Sequence, residues 1–296
     1  MKEIPNLYKD RRKEGNTAIR QCQLVELHLL YVFNQICRKH NLRYVLFWGS
    51  LLGAIRHDGF IPWDDDLDVA MPEEDYKKFL EIASQELPDD VTIHDMEKLS
   101  HVDSYGGFTK LRDAYSAIVE PHPAIRTEDA MGIFLDIFPL KQYPELPFNG
   151  LNRLQYVLCA LDRKYFVKLN QCGRHWKYAL CGGFSAMFYD FCRKSVRACL
   201  KLLNKMYKKS RKRVWCLEFY SAYNRFFFEE EDLFPMHKTH VFEDGEFFVP
   251  NNSHNILTKI YGDYMQLPPE EKRVGSHSIA ILPFTPGRKG IKYPEA

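Results

Sequence analysis

From Asp64 to Met71 the chain reads Asp-Asp-Asp-Leu-Asp-Val-Ala-Met, with Asp66 and Asp68 separated by one apolar residue. If Leu67 to Met71 is a strand, Asp66 and Asp68 share one face and Leu67 and Val69 the other, because side chains alternate with a period of two. Two carboxylates side by side repel each other and resist desolvation unless a cation joins them. A hard divalent cation, Mg²⁺ or Mn²⁺, meets that need, and commonly takes one or two carboxylates together with substrate phosphates. A solvated acidic loop, or an acidic cap for a helix opening near Pro72, would also carry such a run, but neither needs the apolar alternation. A calcium loop fits poorly: Val69 stands where that loop requires Gly, and Asp75 where it requires a bidentate Glu.

The residues just before this run suit a phosphate. Tyr44 to Trp48 has strand character, and Gly49-Ser50 follows where a helix would begin. Ser50 is expected to cap a helix from Leu51 to Arg56, whose N-terminus is a natural anion site. Trp48 and Trp63 are candidates for a cage around a quaternary ammonium, or simply for the core, the more natural place for Trp48 at a strand end.

The stretch from Gly49 to Tyr76, GSLLGAIRHDGFIPWDDDLDVAMPEEDY, resembles the signature of the LicD family. These are phosphocholine transferases of bacterial surface polysaccharides, related to the fukutin group of polyol-phosphate transferases. That family in turn resembles the nucleotidyltransferase superfamily, with its Gly-Ser turn followed by an acidic pair. The segment Tyr261 to Arg273, YGDYMQLPPEEKR, is also similar to the family, so the resemblance covers about residues 40 to 140 and 240 to 277. It implies a metal-dependent transfer of an alcohol-phosphate, phosphocholine foremost, from a CDP-linked donor to a sugar hydroxyl, releasing CMP. Asp66, Asp68 and Asp136 would be the catalytic and metal-holding acids. Gly49, Ser50, Arg56, His57, Asp65, Lys110, Arg112, Asp263, Arg273 and His277 would serve substrate binding. Two other readings stay open: nucleotidyl transfer with release of pyrophosphate, and a non-catalytic, membrane-associated binding protein.

Several of these positions have support from pattern alone. Asp136 is the one charge in the apolar run Gly132 to Leu140, and a lone carboxylate there needs a partner, either a metal or a cation such as Lys110 or Arg112. Lys110 and Arg112 alternate with Leu111, so both can project from one strand face, toward phosphate or toward solvent.

The rest of the chain frames this site. Residues 1 to 16 are charged and irregular, a loose arm. Apolar residues at helical spacing from Ala18 to about Lys39 predict a core-facing helix, and Pro72 with Glu73, Glu74 and Asp75 opens another. Strands are expected at Val91 to His94, Gly107 to Leu111, Ala117 to Glu120 and Gly132 to Leu140. His240 to Pro250 reads as a hairpin around Asp244-Gly245, followed by a helix from about Ser253 to Ile260.

The stretch from Pro147 to about Phe228 looks helical and aromatic. No acid interrupts its cations between Phe191 and Leu217, and Val196, Cys199, Leu200, Leu203 and Met206 form an opposing stripe. An anionic membrane surface, nucleic acid or solvent could each face it; no nucleic-acid module is recognisable, and the site chemistry favours membrane. The eight cysteines show no CxxC pairing, which argues against zinc and for small buried apolar roles. No run reaches transmembrane length and the N-terminus lacks the apolar core of a signal peptide, so the expected location is the cytoplasm or the inner face of the membrane.

The expected fold is α/β (α+β): a nucleotidyltransferase-like mixed sheet with a helical insertion or subdomain. The expected parts are an N-terminal arm and helix (1–40), a catalytic core (41–146), a basic aromatic helical region (147–230) and a closing C-terminal segment (231–296).

Overall fold

The computed structural model describes residues 9–95, 108–119, 131–144, 157–158, 161, 179–206, 213–217, 228–275 and 278–287. The chain divides into two compact units, the first formed by Met1–Asp95, Thr109–Pro139 and Glu231–Ala296, the second by Met96–Phe108 and Leu140–Glu230.

At the heart of the first unit is helix α1 (Ala18–Lys39), opened by the Thr17 side chain, which accepts from the Arg20 N–H. The expected apolar spacing is present, but the helix is buried on every side from Cys22 to Asn34. Phe33 meets Tyr44 and Phe79 at ring-centroid distances of 4.9 and 5.0 Å, and Tyr31 meets Phe247 at 5.2 Å. Burial on that scale obliges its polar side chains to find partners. Gln23 donates to the Ile61 and Asp64 carbonyls, His28 pairs with Asp90 at 3.0 Å, and Asn34 accepts from the Tyr44 hydroxyl. Residues 9–16 are not a loose arm: Arg12 is buried and its guanidinium lies 2.6 Å from Asp113 Oδ1. A buried guanidinium bonded to a buried carboxylate fixes the chain as a charge in solvent would not.

Strand β1 (Val45–Leu46) is shorter than expected, because helix α2 (Trp48–His57) already starts at Trp48. It pairs antiparallel with β2 (Asp68–Pro72), Val45 facing Ala70. Helix α3 (Glu73–Glu86) follows with three acids in its first turn, where the dipole favours them, and buries Tyr76, Phe79 and Ala83. Strands β3 (Val91–Asp95) and β4 (Thr109–Asp113) lead to β5 (Ala117–Val119) and β6 (Phe134–Pro144). The sheet order β1-β2-β6-β4-β3 puts β2 beside β6 and β6 beside β4, so the three segments carrying the key charges are neighbours. The α/β reading of the sequence holds.

In the second unit, Leu140–Pro144 pairs antiparallel with β7 (Arg213–Leu217), which pairs with β8 (Phe228–Glu229). The region expected to be helical throughout thus contains strands. Its helix, Ala179–Met206, buries Val196 and partly buries Leu200 and Leu203, as expected, but Cys199 and Met206 of the predicted stripe are exposed. At 3.6 residues per turn, Met187, Phe191, Leu202, Phe188 and Met206 fall on a second apolar face, each 59% to 72% exposed. Lys194, Arg197, Lys201 and Lys205 flank that face and are exposed too. No helix among the described residues is long and apolar enough to cross a membrane.

In the first unit again, β9 (Lys238–Phe242) and β10 (Gly245–Val249) form the expected hairpin. Its two-residue turn is Glu243-Asp244, one position earlier than the Asp-Gly signal suggests, because Gly245 pairs with Phe242. Asn252 caps the helix Ser253–Tyr261, and β11 (Ala280–Leu282) closes the unit on β5.

Candidate active site

The site assembles where α2 starts and β2 begins. Phe47, not Ser50, is the N-cap of α2, and it contributes no side-chain bond. Ser50 lies inside the first turn, and its hydroxyl accepts the Asp68 N–H at 2.7 Å. With the Phe47 N–H donating to the Asp68 carbonyl at 3.0 Å, Asp68 is fastened to α2 through both of its backbone groups. Trp48 has φ +45°, a left-handed conformation that costs a bulky residue energy and is found where a local geometry is enforced. Gly49 follows, and a Cβ there would stand 2.6 Å from Asp64 Oδ2, so a larger residue would have to push that carboxylate aside. The Gly-Ser turn therefore lies directly against the acidic run.

Alternation along the acidic run works as the sequence suggests on one side only. Leu67 and Val69 are fully buried, but Asp68 is buried as well, at 5% exposure. Burial raises its proton affinity well above the ordinary carboxyl range, and Asp66, Asp136 and Asp64 add to the rise while Lys110 opposes it. Four carboxylates thus act on one another in a small volume. Asp136 enters from β6, where its N–H donates to the Leu67 carbonyl at 2.8 Å. Directly across the ladder from it stands Lys110, whose ammonium lies 2.9 Å from Oδ1 and 3.2 Å from Oδ2 of Asp136. Asp136 thus takes the cationic partner that a lone acid in an apolar strand requires.

The remaining expected residues divide by location. Arg112 is buried and donates to the Gly132 carbonyl at 2.8 Å, a contact that ties β4 to the start of β6. Asp65 is buried, accepts from the Ser278 hydroxyl and has Gly275 packed against it, so it anchors the C-terminal segment to the acidic loop. Arg56 donates to the Tyr264 carbonyl at 2.8 Å. His57, Trp63 and Arg273 form a second group: the His57 and Trp63 rings meet at 6.3 Å, and the Arg273 guanidinium lies 5.7 Å over Trp63. Burial and Arg56 lower the His57 pKa, keeping the ring neutral at neutral pH. Asp263 is exposed on the turn after Gly262, and His277 lies outside the described residues.

Two residues of the site escaped the sequence reading. Glu26 of α1 is buried beneath the acidic loop, accepts from the Cys22 thiol at 3.4 Å, and is pushed well up by burial and by Asp66. Its signal was an acid set between Val25 and Leu27 in a helix with apolar residues on either side. Tyr261, at the end of the helix Ser253–Tyr261, keeps 42% of its surface exposed. Burial of part of the side chain together with Asp68, Asp64 and Asp66 pushes its phenol up. Tyr261→Phe is expected to lower kcat/KM about tenfold, the worth of one hydrogen bond to a charged group, with an unchanged melting temperature. Steady-state kinetics beside thermal unfolding checks this, and a variant with full activity would remove Tyr261 from the site.

Among the described residues, no three His, Cys, Asp or Glu side chains are gathered closely enough to form a metal cage. The donor set nonetheless suits a cation that needs few protein ligands. Mg²⁺ keeps several waters and is bound through one or two carboxylates plus substrate phosphates, and Asp66 and Asp68 with their acidic neighbours are such a set.

Residues 41–144 match the family model described as LicD/FKTN/FKRP, nucleotidyltransferase domain. The lipopolysaccharide cholinephosphotransferase LicD of Haemophilus influenzae is 29% identical over 284 residues, covering 88% of this chain and 96% of that protein. Uncharacterized proteins of Rickettsia typhi and Rickettsia prowazekii are 44% and 42% identical over 52 residues, 18% of this chain in each case and 17% and 20% of theirs. The Haemophilus match runs nearly end to end and the family model spans α2, the acidic strand and the Lys110–Asp136 ladder: the segment holding the site matches the LicD/FKTN/FKRP nucleotidyltransferase domain, and along most of its length the chain is similar to a LicD-type phosphotransferase.

Proposed function

We propose that this chain transfers phosphocholine from CDP-choline to a sugar hydroxyl of a cell-surface polysaccharide or glycolipid precursor, releasing CMP, with Mg²⁺ or Mn²⁺ as cofactor. The observation that carries the reading is Asp68, buried among Asp64, Asp66 and Asp136 at the foot of the Gly49-Ser50 turn. The name of the Haemophilus relative supports choline as the alcohol and lipopolysaccharide as the class of acceptor.

In the reaction, the sugar oxygen attacks the choline-bearing phosphorus, the bond from that phosphorus to the bridging oxygen breaks, and CMP leaves. The hydroxyl proton passes to a carboxylate of the cluster. Asp66 and Asp68 would hold the metal, which when bound supplies charge stabilisation to the phosphoryl oxygens and the leaving CMP. Gly49 and the first turn of α2 offer backbone N–H groups to the donor phosphates. Lys110 holds Asp136 in position through their ion pair, and Tyr261 lies within electrostatic reach of the acids from the C-terminal side.

Incubation with CDP-choline, CDP-glycerol or CDP-ribitol in Mg²⁺ is expected to give CMP from CDP-choline alone, and none in EDTA. Release of pyrophosphate from CTP instead would establish nucleotidyl transfer. Silence from all donors, with no Mg²⁺-dependent nucleotide binding, would leave a non-catalytic binding protein.

The second apolar face of the helix Ala179–Met206, with its row of cations, supports contact with an anionic membrane, where lipid-carried acceptors would be met. Sedimentation with vesicles should show binding to phosphatidylglycerol-containing but not to pure phosphatidylcholine membranes. Replacing Phe188 and Phe191 by Ser is expected to weaken it at least tenfold, each buried aromatic being worth roughly 1.5–3 kcal/mol. Equal binding by the double variant would remove this face from the account.

A further inference from the structure

At the end of α2 away from the Gly-Ser turn, the first unit opens into a cleft of about 430 Å³. It lies between the N-terminal segment, the turn after α2 and the tip of the β9–β10 hairpin, and its size is that of a small-molecule site. Ion pairs form its walls. Arg20 forks onto Glu243 with contacts of 2.9 and 2.6 Å, and Arg11 lies 3.0 Å from Asp244, which also accepts from the Tyr31 hydroxyl at 2.9 Å. Two non-glycine residues at its mouth are left-handed, Asp58 at φ +52° and Glu243 at φ +59°, and the Glu243 N–H donates to the Asp58 carbonyl at 2.8 Å. Gly59 permits this approach, since a Cβ there would stand 2.8 Å from Glu243 Oε1. Strain of this kind, on the order of 1 kcal/mol or more per residue, persists only where the surroundings impose it. Here it holds two carboxylates at fixed positions on one rim.

The charge balance selects the ligand. Glu14, Asp58, Glu243 and Asp244 line the cleft against Arg11 and Arg20, and both guanidiniums already face carboxylates. A phosphate or nucleotide would meet net negative charge and no spare cation. A neutral polyol meets both carboxylate acceptors and guanidinium donors, with the buried Phe60 and Leu24 closing the base of the cleft. His57 also lines the cleft, and its ring contacts Trp63, the residue immediately before the acidic run. From Trp48 to His57, α2 rises roughly 13 Å, about the reach of a short glycan.

We propose that this cleft binds a neutral sugar ring of the acceptor, anchoring a glycan whose neighbouring ring passes His57 and Trp63 to present its hydroxyl at the acids. The assignment rests on the transferase reading above and adds to it the acceptor's subsite and chemical class.

The test is saturation-transfer NMR and titration of the full chain with maltose, lactose and N,N′-diacetylchitobiose, beside maltose 1-phosphate as an anionic probe. Asp58→Asn keeps the tolerance for a left-handed backbone, and Arg11→Met removes a half-exposed partner, so both variants are expected to melt with the parent. At least one neutral disaccharide is expected to bind, with Kd rising fivefold or more in each variant, while the Kd for CDP-choline stays the same. No binding by any of the three, equal binding by both variants, or tighter binding of the phosphorylated sugar would overturn the assignment. Failure of the parent protein to bind CDP-choline in Mg²⁺ would instead overturn the transferase reading, whatever the sugars do.

Discussion

Asp68→Asn is expected to lower turnover about 1,000-fold, on the order of losing one charge-stabilising group in a transferase, and at the same time to raise the melting temperature of Mg²⁺-free protein. The two effects share a cause. Asp68 is buried among other acids, so its carboxyl binds a proton more tightly in the folded chain than the ordinary value of about 3.9. Above that pH the unfolded chain releases a proton that the folded chain retains, and ionisation works against folding. Asn keeps the size and removes the penalty. The gain should be present at pH 7 and shrink as the pH falls toward 4, where both states are protonated. Assays of CMP release beside thermal unfolding at the two pH values check this. A turnover near that of the parent, or a lower melting temperature at pH 7, would show that Asp68 is not a repelled, functional acid.

Lys110→Met should have the largest effect on stability, a loss of about 3–5 kcal/mol, the cost of leaving one member of a buried ion pair alone. Lys110 and Asp136 are 5% and 6% exposed, and both Asp136 oxygens lie on the ammonium. The ammonium also sits 3.3 Å over the Phe134 ring, so its loss removes packing as well as charge. Urea unfolding measures the loss. Adding Asp136→Leu should recover most of it, because the orphaned charge disappears with its partner. In the single variant Mg²⁺ should raise the melting temperature more than in the parent, since a cation can take the place the ammonium has left. A single variant as stable as the parent would mean that water, not Lys110, satisfies Asp136.

The residues that fix this site could be read in order from the sequence wherever a local period was at work. The α1 spacing, the acidic first turn of α3, the hairpin after Lys238 and the strand carrying Asp136 all rest on neighbours within a few positions. What could not be read came from contacts across the chain. Ser50 looks like a cap because of its place after a strand, yet the Asp68 N–H, eighteen residues on, takes its hydroxyl. Lys110 and Arg112 alternate correctly, but the ladder sets Lys110 opposite Asp136 and leaves Arg112 for the Gly132 carbonyl. Nothing local marks Tyr261 out from the aromatic residues around it. The β7 strand was hidden because Arg213–Leu217 closes a basic run whose charges suggested a continuing helix.

The Ser278–Asp65 bond and the β5–β11 pairing carry a consequence for how this enzyme can be divided. The family match ends at residue 144, yet one wall of the acidic loop is supplied from beyond residue 260 and its floor from α1. The smallest piece able to fold around the acids is therefore not the matched segment. Segments more than two hundred positions apart act as a clasp around it, so deleting α1 or the segment from Tyr261 to Leu282 should loosen the very loop that neither contains.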